Sequence, residues 1–92
     1  MTHFSFTTIL DINEVDQLPP ADSRIVYQFY TDADGLCECS SFLSDGSEKD
    51  VIRSIDSLKQ QAANHGAWVE DYVFVEGFRL QNDGSYSVIL GS

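Results

Sequence analysis

The chain has 92 residues and carries 15 acidic against five basic side chains, which gives a formal net charge of -10 at pH 7. Its apolar content of 42% is ordinary for a globular protein and too high for a disordered acidic tail, so we expect a single domain over residues 1–92. The negative charge argues against direct binding to nucleic acid or to an anionic membrane, because both repel it.

Nothing in the sequence indicates export or membrane insertion. The first residues lack the basic start and apolar core of a secretory signal. The longest apolar runs, such as Tyr72 to Val75, are far shorter than the roughly 20 residues that span a bilayer. The absence of a disulfide framework fits a reducing compartment, so we expect a cytoplasmic protein.

The first half of the chain reads as three strands. Apolar and polar residues alternate from His3 to Ile12, which predicts the first strand, and an acidic loop with Pro19 and Pro20 follows. The second strand is predicted from about Arg24 to Tyr30 and the third from Leu36 to Leu43. Between them, Thr31 to Gly35 has the residues of a hairpin turn.

A helix is predicted over about residues 47–65. It begins at Ser47, which has the spacing of a capping box with Asp50, and it ends at His65 and Gly66, where glycine can take the left-handed conformation. Apolar residues at steps of three and four form one stripe on this helix, while its charged residues, including Asp50 and Lys59, are expected to lie outside the stripe. The apolar stripe comprises Val51, Ile52, Ile55, Leu58, Ala62 and Ala63.

After the helix, further strands are predicted at Ala67 to Glu76, Phe78 to Gln81 and Ser85 to Leu90, with a bend or bulge at Gly77. The element order βββαβββ predicts an α+β fold, a single small domain with a mainly antiparallel sheet of about five to six strands and one helix packed on one face. The other sheet face then stays partly bare, and its aromatic residues favour a homodimer or a partner that covers it.

Three candidate chemical sites favour structural interpretations. Cys37 and Cys39 should share one face of a strand, but no second cysteine pair or nearby histidine completes a zinc site, so free thiols are expected. The run from Asp32 to Gly35 resembles a calcium loop but fails its register, which leaves an acidic turn. His65 is expected to cap the helix. We therefore predict no enzyme activity, no cofactor and no metal site.

The acidic residues suggest a different role, since a negative surface can cover a basic groove on another protein. Carboxylates on a sheet edge or turn can pair with arginines that otherwise hold phosphate, and exposed aromatic rings can add binding energy. A solvated surface that keeps the protein soluble is the simpler explanation of the same charge. The predicted partner-binding residues are Asp32, Asp34, Glu38, Glu70, Asp71, Glu76, Tyr30 and Tyr72.

In length, acidity and lack of a catalytic motif, the chain resembles the small acidic proteins that phages and mobile elements direct against host defence, including anti-CRISPR and anti-restriction proteins. This resemblance implies an inhibitor in a bacterial or phage-infected cell that blocks a nucleoprotein complex sterically or as a DNA mimic. The implied partner is a protein with a basic, nucleic-acid-binding surface. Two alternatives remain open: an immunity protein for a nuclease toxin, and a structural module that self-associates through its sheet face.

Overall fold

The computed structural model describes residues 8–11, 15 and 17–91. One helix packs on a five-stranded sheet of order β1-β4-β5-β2-β3, which confirms the predicted α+β class. The elements are β1 (Ile9–Leu10), β2 (Arg24–Thr31), β3 (Gly35–Phe42), α1 (Glu48–Asn64), β4 (Phe74–Leu80) and β5 (Tyr86–Gly91).

The longest strand pairings are antiparallel, as predicted. The β2–β3 hairpin pairs every residue of both strands, and β4 pairs with β5 along nearly its whole length. Two short parallel pairings complete the sheet: β1 meets β4 at Ile9 and Leu10, and β2 meets β5 at Ile25 and Val26. The sheet is therefore two antiparallel hairpins joined side by side, with β1 added at one edge.

The start of α1 confirms the predicted cap and changes one detail of it. Ser47 is the N-cap residue, and its hydroxyl accepts a hydrogen bond from the Asp50 amide at 3.3 Å. The Asp50 carboxylate does not return to Ser47. It instead accepts hydrogen bonds from the backbone amides of Ser44 at 2.6 Å and Gly46 at 3.0 Å, and it forms a salt bridge with Arg53 at 2.5 Å. Asp50 thus fixes both the loop before the helix and the first helical turn.

The apolar stripe of α1 lies on one face of the sheet, which we call the covered sheet face. Val51, Ile55, Leu58 and Ala62 are buried there against strand residues such as Ile25. Val15 and Leu18, from the loop after β1, extend this core. The buried strand residues in the core are Ile25, Phe29, Cys39, Val75 and Val88.

Helix side chains also protect the outer edge of β3. The Gln61 amide donates to the Ser40 carbonyl at 3.1 Å, and the Ser54 hydroxyl donates to the Phe42 carbonyl at 3.2 Å. Arg53 reaches the same Phe42 carbonyl at 3.4 Å. Because unpaired strand edges invite pairing with other chains, these contacts block part of an edge that β3 would otherwise expose.

The predicted strand boundaries need three corrections. The structure places β1 only at residues 9–10, and the rest of the predicted first strand lies mostly outside the described residues. Residues 67–73 were predicted as strand and form a loop with a turn at Glu70 and Asp71. The strand predicted at Phe78 to Gln81 is the continuation of β4 across a bulge between Val75 and Gly77, so the order is βββαββ.

A further correction concerns Lys59. The sequence predicts that it lies outside the apolar stripe, but its side chain is 0% exposed. Its Nζ atom donates to the Thr8 hydroxyl at 3.0 Å, and that hydroxyl in turn contacts the Asp56 carboxylate. Burial lowers the pKa of Lys59, while the Asp56 charge opposes this shift. The partner comes from a distant segment, so local periodicity could not anticipate it.

Among the described residues, no helix combines the length and apolarity needed to cross a membrane.

Candidate partner-binding site

A groove lined by aromatic side chains opens beside the second half of β2. The β2–β5 pairing ends at Val26, so β5 does not flank β2 from Tyr27 onward. Residues from the loop of residues 67–73 and from this part of β2 together line an open cavity of about 330 Å³. We call it the aromatic groove, and its lining residues are Tyr27, Gln28, Phe29, Tyr30, Ala67, Trp68, Val69 and Tyr72.

The loop holds its aromatic residues in place through a short turn. The Tyr72 amide donates to the Val69 carbonyl at 3.1 Å, and the Trp68 indole N–H donates to the Asp71 carboxylate at 2.8 Å. Trp68 remains 69% exposed. Its ring is therefore held by a carboxylate at the surface instead of being packed into the core.

Tyr27 and Phe29 form the part of the aromatic groove nearest the core. The Tyr27 and Phe29 rings stack with centroids 6.0 Å apart, and the Phe29 ring lies 6.2 Å from that of His65 at the helix C-cap. Burial raises the pKa of Tyr27, and the neighbouring Tyr72 adds to this effect. Tyr27 is thus a neutral phenol at physiological pH.

The structure brings several of the predicted partner-binding residues to this end of the molecule. Tyr30 and Tyr72, far apart in sequence, both line the aromatic groove. Asp71 contacts Trp68 directly, and Glu70 is exposed beside it in the same turn.

Two more of the predicted carboxylates follow Tyr30 along the chain. Asp32 and Asp34 are exposed in the β2–β3 turn, where the Asp34 amide donates to the Thr31 hydroxyl at 3.0 Å. Gly35 closes this turn with a φ of 72°, in agreement with the predicted hairpin. The turn therefore presents two carboxylates next to the strand that lines the groove.

The other two predicted residues lie on the sheet face away from α1, which we call the open sheet face. Glu38 accepts a hydrogen bond from Gln28 at 3.3 Å and lies 3.7 Å from the Arg24 guanidinium. The Glu76 side chain lies against Gly91 and fills the space that a Cβ atom would occupy there. Glu76 is therefore separate from the aromatic groove, whereas Glu38 lies at its margin through the hydrogen bond from Gln28, a lining residue.

The open sheet face also exposes a set of large apolar side chains. Phe42 stands opposite Arg24 at 62% exposure, and Leu36 stands opposite Tyr30, which is 76% exposed. Phe74 and Ile89 are exposed on β4 and β5. This face is a second candidate surface, and its exposed apolar residues are Ile9, Tyr30, Leu36, Phe42, Phe74 and Ile89.

Two of the five basic side chains neutralise particular carboxylates, and a third is buried. Arg24 lies near the carboxylates of Glu38 and Asp83, and Arg53 pairs with Asp50. Lys59 is buried. None of the residues that line the aromatic groove is basic.

Cys37 and Cys39 share the covered sheet face, as their spacing predicted, and both are free thiols. Burial raises the pKa of Cys39 to about 11, and the nearby Glu38 charge contributes. Its thiol donates weakly to the Leu58 carbonyl at 3.4 Å. In the part of the chain that the structure describes, no three His, Cys, Asp or Glu side chains come together as a metal site would require.

Sequence reasoning did not select Trp68 or Tyr27 as binding residues. Trp68 was assigned to a strand, where Asp71 would point away from it. In a turn, the same spacing of three residues brings the indole and the carboxylate together. The spacing of three residues between Trp68 and Asp71 is thus a signal of this contact, but only if the segment is read as a turn and not as a strand.

The chain matches no protein-family model, no curated protein and no solved structure.

Proposed function

We propose that this protein is a binding inhibitor that docks on the basic, nucleic-acid-binding surface of another protein and blocks access of the substrate. The partner class that we favour is a defence complex or nuclease of a bacterial or phage-infected cell, as in anti-CRISPR inhibition. The observation that carries the proposal is the net charge of -10 on a folded domain whose turn carboxylates Asp32, Asp34 and Glu70 are exposed.

Electrostatics supports this role because a dense negative surface accelerates encounter with a basic partner and disfavours other partners. An exposed carboxylate can also accept two parallel hydrogen bonds from the guanidinium of an arginine that normally holds phosphate. Asp32 and Asp34 lie in a hairpin turn that a hydrogen bond from the Asp34 amide to the Thr31 hydroxyl helps to order, which lowers the entropy cost of fixing them on binding. An immunity protein for a nuclease toxin would use the same chemistry, and the partner's identity distinguishes the two roles.

The first experiment is capture of partners by the tagged protein from host lysates and from cells that carry phage-defence systems. We expect a nucleic-acid-binding complex that is released by high salt and whose activity is inhibited by the purified protein. Salt weakens the attraction because it screens exposed charges beyond a Debye length of about 8 to 10 Å. A captured complex that keeps full activity would contradict the inhibitor role.

Charge-neutral variants sharpen this test. The double variants Asp32→Asn with Asp34→Asn, and Glu70→Gln with Asp71→Asn, should slow association with the captured partner, most strongly at low salt. The matched control is Asp22→Asn with Glu48→Gln, which removes the same charge elsewhere on the surface. If all three variants associate at the wild-type rate, electrostatic docking is wrong.

Self-association through the open sheet face is a second candidate function, favoured by the exposed Phe42, Leu36 and Phe74 side chains. Two copies of this acidic chain repel each other, so such a dimer should tighten as salt rises, the reverse of docking on a basic partner. Sedimentation at low and high salt separates the two, with Phe42→Ser expected to abolish the dimer. A monomer at all salt concentrations would exclude this function.

A further inference from the structure

The aromatic groove has the shape and surface of a site for a single side chain. Its volume of about 330 Å³ is at the small end of the range for ligand pockets. Tyr30 and Trp68 keep much of their ring surface in solvent, although burying large aromatic rings is a main source of folding energy. The groove therefore has aromatic side chains in its lining that keep surface available to a ligand.

The charge around the groove favours a cation. Aromatic ring faces carry the negative part of a quadrupole and attract ammonium or guanidinium groups. The Asp71 carboxylate adds a negative charge beside the groove, since it accepts a hydrogen bond from the indole of the lining residue Trp68 at 2.8 Å. A carboxylate has about four acceptor positions, and the indole N–H uses one of them.

The end of α1 adds to this field. Ala67 lines the groove, and its amide donates to the Ala62 carbonyl in the last turn of the helix at 3.0 Å. The C-terminus of a helix carries about half a negative charge, and the last turn of α1 has no basic residue to offset it. The aromatic rings, the Asp71 carboxylate and the C-terminus of α1 therefore all favour a positively charged ligand.

From this arrangement we propose that the aromatic groove binds the guanidinium group of an arginine side chain on the basic partner. The planar guanidinium stacks on the Trp68 or Tyr72 ring and donates N–H groups to the Asp71 carboxylate. This inference rests on the proposed function and adds to it a central contact of defined chemistry. The exposed carboxylates steer the partner, and the groove fixes the register of the complex.

The test needs no partner protein. The probes are acetyl-Gly-Arg-Gly-amide, the same peptide with citrulline, which is neutral and nearly isosteric, and the same peptide with lysine. Trp68 is the only tryptophan, so its fluorescence and its indole N–H resonance report directly on the groove. We expect a saturable change with the arginine peptide, a weaker one with lysine and none with citrulline.

Variants locate the binding. Tyr72→Leu removes one ring and should weaken arginine binding about two- to five-fold, the range expected for one exposed cation–aromatic contact. Asp71→Asn retains an acceptor for the Trp68 indole and should weaken binding through loss of charge. Phe42→Leu is the matched control, because it removes an exposed ring from the open sheet face and should leave binding unchanged.

Several results would overturn the inference. One is an equal change in the Trp68 signals with the arginine and citrulline peptides. Another is equal affinity for the arginine and lysine peptides. A third is a set of resonance shifts at the surface carboxylates with no shift of the Trp68 indole. The last result leaves electrostatic docking intact, so it separates failure of the groove from failure of the proposed function. Conversely, specific arginine binding with no basic partner captured would overturn the proposed function and retain the groove as a guanidinium site.

Discussion

The two faces of the sheet come from the same strands but differ in what covers them. On the covered sheet face, Ile25, Cys39 and Val88 pack against the apolar stripe of α1 and are buried. On the open sheet face, Phe42 and Ile89 have similar apolar character and remain in solvent. The comparison shows that α1 buries the apolar residues on its own side of the pleat, whereas Phe42 and Ile89 on the other side lack such a cover. Val26 is the exception, since it lies on the open sheet face and is fully buried.

The largest effect should separate the two faces directly. Ile55→Ala opens a cavity under the covered sheet face and should lower the free energy of unfolding by about 2–5 kcal/mol. Phe42→Ala, on the open sheet face, should change it by no more than about 0.5 kcal/mol. Urea unfolding of both variants measures the difference. A large cost at Phe42 that grows with protein concentration would mean that a second copy covers this face.

Acid should weaken the junction that fixes α1 over the covered sheet face. The hydrogen bond from Arg53, followed by the amides of Gly46 and Ser44, holds the pKa of Asp50 below its ordinary value of 3.8. Asp50 therefore stabilises the fold fully above about pH 4, and this contribution disappears as pH falls through the lower folded-state pKa. Asp50→Asn should be less stable than wild type at pH 7, and the gap should narrow in acid.

Glu48→Gln is the control for this measurement, because Glu48 occupies the same helical turn and is exposed. Its stability should follow the wild-type profile more closely across the acid range. Thermal unfolding between pH 2 and pH 7 provides both curves. A gap between wild type and Asp50→Asn that is as large at pH 2 as at pH 7 would show that the carboxylate charge contributes nothing.

The smallest predicted effect concerns reactivity within the covered sheet face. With a pKa of about 11, only about one Cys39 thiol in a thousand is ionised at pH 8, and the side chain is buried as well. Cys37 is only partly buried. Iodoacetamide should therefore modify Cys37 at least ten-fold faster, as peptide mapping by mass spectrometry can measure. Equal rates would mean that β3 opens readily from the helix.

Local signals in the sequence predicted the helix and the turns well. Ser47 and Gly66 bracket α1, and Gly35 takes the left-handed conformation that its turn requires. The bulge expected at Gly77 is present, but it bends one continuous strand and does not divide two. These features succeed because each depends on residues close together in the chain.

The remaining errors come from distant contacts. Residues 67–73 contain Trp68, Val69 and Tyr72, which favour strands, yet they form a loop with a turn at Glu70 and Asp71 and do not pair with the nearby edge of β2. Lys59 is buried, and its ammonium group donates to the hydroxyl of Thr8 from a distant segment. Likewise Tyr30 and Tyr72 were proposed as separate binding residues, and only the tertiary fold could show that they line one groove.

The parallel pairing of β2 with β5 has a consequence for synthesis of the protein on the ribosome. Ile25 finds its partner only when Tyr86 has left the exit tunnel, and Ile9 must wait for Phe74. Until then, the nascent chain can form the β2–β3 hairpin and α1 but exposes the inner edge of β2. Because such long-range pairings form slowly, this protein should depend on chaperones or on rapid completion of translation more than a helical protein of equal length.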